Sequence, residues 1–410
     1  MTISIMSINP SQRDYEFVER KGRGHPDTIS DRLAEEFSRA YSLFTLHEYG
    51  IILHHNFDKT GVLGGHASVG FGKGSMTRPI RVLLNGRASS SYAGKPIPVE
   101  DILKQTARDV FSDLFPMLDL HRDIEFHNNL SMSSSPGSIN GKAARDGTRK
   151  NWFTPRGPED IPELRLLAAN DTSLGSAYSP LSPVERTVLD LECTLTREEF
   201  RNQHPWLGTD VKVMASRLND DLEITLCVPQ ICSYVSDVAE YRRNVQFIND
   251  WIYSFCNQKM PQYNTRIFLN MRDNFETCEL YLTFTGSAIE NGDEGLVGRG
   301  NRPNGVIANT RPFSIEGACG KNPVYHVGKV YNIVADNIAR EVWKITGAYS
   351  EAFLVSQTGQ SLIAPWKTVV GVAMPLSESL SRCLNEVTQS KLDEIPRISA
   401  SILKRECRLY

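Results

Sequence analysis

The sequence predicts an α+β protein built from repeated units, with mostly antiparallel sheets covered by helices. Two observations lead there. A helical apolar pattern followed by two strand-like runs occurs three times, near residues 28–69, 234–284 and 326–373, without readable sequence identity between the copies. The signatures of the common parallel-sheet nucleotide folds are also missing. No G-x-x-x-x-G-K-[ST] and no G-x-G-x-x-G follows a predicted strand.

Taken in order, Tyr15–Asp31 gives a short apolar segment, then the basic turn Arg20-Lys21-Gly22-Arg23-Gly24, then His25-Pro26-Asp27. Ile29, Leu33, Phe37, Tyr41 and Phe44 recur at helical spacing. Pro26 fixes the helix entry, and Asp27 or Thr28 can cap it. A basic glycine turn at a helix N-terminus is an anion site, because orphan N–H groups and the helix dipole both favour negative charge. Asp27 as a plain N-cap and His25 as a loop histidine bonded to backbone are the competing readings. Ile51–Val69 reads as a hairpin, polar for a strand pair. Its His54 and His55 point to opposite faces, which disfavours a shared metal ion. Asp58 near the turn suits a hard cation or a turn equally well.

A strand follows at Pro79–Leu84, a helix at Val99–Phe115 and a short strand at Ile124–Phe126. Residues 128–163 are irregular: a Ser/Gly loop at 133–140, then a basic, proline-rich surface insertion at 141–162. Leu164–Ala169 reads as a buried strand ending at Asn170-Asp171, where the acid suits a metal, a ribose or an Asx turn. Pro183–Asn202 is helical, and Asp210–Leu218 alternates as a strand with Lys212 opposite Val211 and Val213. Lys212 is either a solvated edge lysine or a cation aimed into a site. Leu222–Val228, the helix Tyr234–Asn257 and strands at Arg266–Met271 and Glu279–Phe284 complete the middle. His326–Trp343 is a helix, followed by strands at 352–356 and 368–373 and two terminal helices.

Glu290–Tyr331 holds seven glycines between Gly292 and Gly320, interleaved with Asp293, Glu294, Arg299, Arg302, Arg311 and Lys321. Glycine lets backbone N–H groups approach an anion, Arg and Lys supply charge, and the acids suit a bridging divalent cation. The stretch reads as a polyphosphate pocket or, alternatively, as a solvated loop. Around it, 40% apolar and 23% charged residues fit a globular enzyme, and a net charge of −3 without a basic stripe argues against nucleic acid. The start lacks a signal-peptide pattern, and no run is long enough to span a bilayer, so no membrane is expected. Eight cysteines without C-x-x-C fit free thiols in a reducing cytoplasm. Cys319 reads as a packing residue.

Four ordered blocks, GHPD at 24–27, HHNFDKTGVLGG at 54–65, ANDTSLGSAYSPL at 169–181, and ENGDEGLVGRGNRPNG with GKNPVYHVGKVYN over 290–332, resemble the archaeal-type S-adenosylmethionine synthetase family. The resemblance implies three similar α/β subdomains about a pseudo-threefold axis, which we place at 1–128, 129–270 and 271–410, interleaved. It implies attack of methionine sulfur on C5′ of ATP, loss of the triphosphate, and its hydrolysis to pyrophosphate and phosphate. It implies Mg²⁺, allows K⁺, and places active sites between two subunits of at least a homodimer. By the same resemblance His25, Lys212, Arg299 and Lys321 are catalytic, and Asp27, Asp58 and Asp293 meet metal. Ser135, Pro136, Gly137, Ser138, Ile139 and Asn140 hold ATP, while Asp171 and Lys329 contact substrate or phosphate. The family carries a G-S-G-S-T-D-like loop where this chain has Ser135–Asn140. That departure leaves a methionine analogue, or a catalytically silent partner subunit, as alternatives.

Overall fold

The structure, a computed structural model, describes residues 3–10, 13–131, 151–161, 164 and 166–410. Three main sheets share one plan. In the first, Gly61–Leu63 and Ile80–Ala88 pair antiparallel, the helix Val99–Leu114 follows, and Ile124–Ser131 returns parallel to Ile80–Ala88. The second repeats this with Lys212–Leu218 and Asp221–Cys227, the helix Val238–Lys259, and the return strand Asn264–Leu269. The third uses Ser350–Val355 and Lys367–Val372, then the helix Glu378–Asp393. Its return strand is Ile3–Ser7, taken from the other end of the chain.

The fourth strand of each sheet is borrowed. Tyr15–Lys21 leads into the first unit's helix Pro26–Tyr49 but pairs with Lys212–Leu218 of the second sheet. Leu174–Ser179 leads into Pro183–Leu195 but pairs with Ser350–Val355 of the third. Gly295–Leu296 precedes the helix Val327–Thr346 but pairs with Gly61–Leu63 of the first. The exchange is cyclic: each unit lends its leading strand to the next.

Of the predicted stripe, Ile29, Leu33, Phe37 and Tyr41 are fully buried and Phe44 is half-buried at its edge, in a core that also takes Val330, Val334 and Ile338. The first and third units therefore share one core. The second has its own, around Val188, Val213, Ile224 and Ile252. Each such side chain contributes about 1.5–3 kcal/mol by burial.

Three expectations need correction. Leu164–Ala169 is not a strand: Leu166 is exposed, Leu167 has φ +48°, and the strand begins ten residues later at Leu174. Small residues there allow closer packing, since a Cβ on Gly175 would collide with the backbone of Tyr331. Ile51–Val69 is not a hairpin by itself, because Gly61–Leu63 pairs with Ile80–Ala88 and His66–Gly70 pairs with Lys73–Arg78. The strand over Glu279–Phe284 shrinks to Leu282–Thr283.

Candidate active site

The strand Tyr15–Lys21 delivers the basic turn beside Lys212. Gly22 N donates to Val211 O at 2.7 Å and Gly24 N to Thr209 O at 2.9 Å. His25 then caps the helix, its Nδ1 accepting from Asp27 N at 3.1 Å. An accepting Nδ1 leaves the ring proton on Nε2. Burial pushes the His25 pKa down to about 4; Asp27 opposes this, while Lys21 and Lys212 reinforce it. The imidazole is therefore neutral at pH 7, a donor through Nε2. Between pH 6 and 8 its ring resonances are expected to stay fixed in a two-dimensional NMR titration. A midpoint near 6.5 would refute this.

Asp27 is buried at the helix start. Its Oδ2 lies 2.7 Å from Lys21 Nζ, and its Oδ1 accepts from Leu296 N at 3.0 Å. Lys21 Nζ also donates to Arg299 O at 2.7 Å, and the Lys21 backbone is bonded on both sides by the Asn301 side chain. The Gly-rich loop thus lies directly on the helix N-terminus. Gly295 and Gly300 permit this: a Cβ on the first would collide with Pro26 O and on the second with Asp31 Oδ2. Asp31, one helical turn after Asp27, accepts from Gly298 N at 2.8 Å.

Burial pushes the Asp31 pKa from the ordinary 3.8 up to about 7, against the Gly298 amide and Arg302. The folded protein keeps a proton there that the unfolded chain loses, so stability falls as pH rises through about 4 to 7. Asp31→Asn is expected to lose less stability than the parent between pH 5 and 8, measured as urea midpoints. An equal loss in both would exclude Asp31 as the source.

Lys212 Nζ lies 3.2 Å from Glu19 Oε1, and Lys212 is the cross-strand neighbour of Lys21. Val211 and Val213 are buried on the other face, so Lys212 projects from the open side. The Arg299 side chain is 70% exposed, with Nε 3.9 Å from Asp27 Oδ2. Asp293 is exposed and accepts from Glu294 N at 2.9 Å. It interacts electrostatically with Asp210, whose pKa burial lifts to about 7. His25, Asp27, Lys212 and Arg299 therefore gather at one helix N-terminus, with Asp293 beside them.

A second group forms around Lys321, which is buried between Glu316 and Asp58, with Asp58 Oδ2 at 3.5 Å. Ser38 Oγ donates to Lys321 O at 3.0 Å, tying this segment to the same helix. Lys329 lies behind it, fully buried, with Nζ 2.9 and 2.7 Å from the two Glu35 oxygens. It faces that carboxylate rather than the open side of the loop. Asp171 stands apart on an exposed turn, its Oδ1 accepting from Thr172 N at 2.7 Å. Residues 135–140 lie outside the described residues.

Sequence reasoning passed over Lys21, Asp31 and Glu316. Two of them carried a signal: Asp31 follows Asp27 by one helical turn, and Lys21 sits in the basic turn itself. His54 and His55 do face opposite ways. His54 Nδ1 meets Tyr325 OH at 2.8 Å, whereas His55 Nε2 meets Ser38 Oγ at 2.8 Å.

Cations gathered with hard oxygen donors at one helix N-terminus, on a three-unit α+β fold, suit a protein that handles polyanions. The family model for S-adenosylmethionine synthetase (AdoMet synthetase) matches residues 2–143 and 158–406. A probable S-adenosylmethionine synthase of Aquifex aeolicus is 36% identical over 99% of this chain and 98% of that protein. The S-adenosylmethionine synthase of Pyrobaculum calidifontis is 36% identical over 98% of both. An unusual S-adenosylmethionine synthetase from Campylobacter jejuni shares the fold, with a TM-score of 0.56 at 12% identity over 95% of this chain and 93% of that one. This chain belongs to the S-adenosylmethionine synthetase family.

Proposed function

We propose that the chain makes S-adenosylmethionine from ATP and L-methionine, and that the two side-chain groups described above form its triphosphate site. The thioether sulfur attacks C5′, the S–C5′ bond forms, and the C5′–O pair leaves with the triphosphate, which is then hydrolysed to pyrophosphate and phosphate. Sulfur carries no proton, so no general base is needed. What must be supplied is alignment and stabilisation of a highly charged leaving group.

The observation that carries this reading is the gathering of neutral His25, Lys212 and Arg299 around Asp27 at one helix N-terminus. His25 Nε2–H would donate to the leaving oxygen. Lys212, Arg299 and Lys321 would take triphosphate oxygens, with Lys21 fixing Asp27 and the Arg299 backbone. Among the described residues no three His, Cys, Asp or Glu side chains converge as a ready metal cage. Single carboxylates, as at Asp27, Asp58 and Asp293, fit Mg²⁺, which usually takes one or two from the protein and the rest from phosphate and water. Bound there, Mg²⁺ would neutralise charge on the leaving triphosphate. K⁺ is proposed for the assay only, with no side chain assigned to it.

At least a homodimer is proposed, because the exposed Arg299 leaves this site open to water that a second copy would exclude. Light scattering would give a mass about twice 46.0 kDa; a fully active monomer would exclude it. A cytoplasmic setting is supported by eight unbridged cysteines and, among the described residues, by no helix long and apolar enough to cross a membrane. The decisive test is mass-spectrometric product analysis with ATP, Mg²⁺, K⁺ and methionine. S-adenosylmethionine with pyrophosphate and phosphate is expected. ADP, or product only with another thioether, would overturn the reading.

A further inference from the structure

A second cleft lies behind the Gly-rich loop. Its volume is about 390 Å³, and it runs between the helix Val327–Thr346, the turn at 178–181 and residues 406–408. Four cations line it, Arg186, Arg340, Lys344 and Arg408, against two carboxylates, Asp336 and Glu406. Arg340 already holds Asp336 at 2.7 Å, and Lys344 holds Glu341 at 3.1 Å. Arg186 and Arg408 differ. Both face solvent, and among the described residues neither forms an ion pair. Arg408 Nη1 reaches the neutral carbonyl of Asn304 at 3.3 Å. Partial desolvation of its guanidinium against the cleft wall, and then the neighbouring guanidiniums of Arg20, Arg340 and Arg186, depress the basicity of Arg408, with Cys193 opposing.

Asp336 is already held by Arg340 and also feels Arg408, so Arg186 and Arg408, with no carboxylate among the described residues in direct contact, are left to repel one another, and an anion between them removes that cost. Their planar forked donors fit the spaced oxygens of phosphate better than a spherical ion such as chloride. We infer that this cleft is an effector site for a small phosphate anion, of the class of orthophosphate and pyrophosphate, bound between Arg186 and Arg408. These anions are also products of the proposed reaction; that link rests on the proposed function, whereas binding itself does not.

The cleft is wired to the candidate active site through two contacts. Gly305 has φ +96°, and Arg408 Nη1 sits 2.7 Å from where its Cβ would be. From the other side Arg20, held by Glu192 at 2.6 Å, donates to Gly305 O. Arg20 precedes Lys21, which holds Asp27, and Asn304 follows Arg299 in the same loop. An anion that draws Arg408 away from Asn304 would shift this turn, and the coupling would act in both directions.

Trp343 lines the same cleft and reports on it. Orthophosphate would be titrated into the full-length protein at constant ionic strength, with chloride as the control salt, following tryptophan fluorescence and calorimetry. A saturable fluorescence change is expected that disappears in Trp343→Phe, while the heat of binding persists in that variant. Its midpoint should rise at least about tenfold in Arg186→Ala/Arg408→Ala, as two charge-assisted contacts are lost. Both arginines face solvent, so a thermal melt is expected to show the variant folded. An unchanged midpoint in the double variant, or a fluorescence signal that survives Trp343→Phe, would mean that phosphate binds elsewhere, the candidate active site included. An equal response to chloride would reduce the effect to screening, and absence of saturable binding in both measurements would end the proposal.

Discussion

Asp27→Asn is expected to cut turnover by at least about tenfold, and toward a hundredfold, in a protein that still folds but melts at a lower temperature, because the buried Lys21 ammonium loses its carboxylate. The substitution preserves shape and the Oδ1 acceptor that receives Leu296 N at 3.0 Å. What it removes is the negative charge facing Lys21 Nζ at 2.7 Å and lying near Arg299. If Asp27 also carries Mg²⁺, the variant loses a ligand in the region where leaving-group charge develops. A preorganised donor placed directly at the developing charge is worth about 2.7–4 kcal/mol, a hundredfold to a thousandfold, and Asp27, which acts through Lys21, Arg299 and a bridging ion, is expected to fall below that. Steady-state kinetics over a range of Mg²⁺ concentrations would check this, alongside a thermal melt. Ordinary turnover at every Mg²⁺ concentration would leave Asp27 as a structural acid in the first turn of the helix, paired with Lys21.

Lys329→Met should act on stability rather than chemistry. Lys329 and Glu35 are both buried, joined by two hydrogen bonds, and Glu35 also accepts from Gly320 N at 3.0 Å. Removing the ammonium strands a carboxylate in the core, and breaking one partner of such a pair costs about 3–5 kcal/mol. The urea midpoint is expected to fall accordingly. Glu35→Gln/Lys329→Met, which leaves no buried charge, should recover part of the loss. A Lys329→Met protein as stable as the parent but deficient in turnover would instead support the phosphate contact that the family resemblance implies.

The contrast between these two residues shows what the sequence could reveal. The helix Pro26–Tyr49 was legible because its apolar stripe and its Pro26 entry agree on one register, although the N-cap is His25 and not the expected Asp27 or Thr28. Lys212 was legible because strand alternation sets it opposite two valines. Lys329 was not, since its partner Glu35 lies far away in the chain and only the packing of two helices brings them together. The strand over Leu174–Ser179 was missed for a related reason. Its glycine and small polar residues score poorly as a strand, and they are chosen for closeness to Tyr331 rather than for β propensity. Asp31 needed only one further step, the helical repeat from Asp27, but its proton-holding environment depends on a loop that arrives from residues 298–300.

The borrowed strands also bear on how the molecule comes into being. Ile3–Ser7 leaves the ribosome long before its partner Lys367–Val372 is made. Tyr15–Lys21 likewise waits for Lys212–Leu218. During synthesis the earliest strands must therefore remain unpaired, with sheet edges open, until most of the chain has emerged. No unit can close its own sheet, so maturation is a late event for the whole chain rather than a sequence of finished modules. A chain interrupted before residue 367 would leave Ile3–Ser7 without its partner, a natural recognition point for chaperones and proteases.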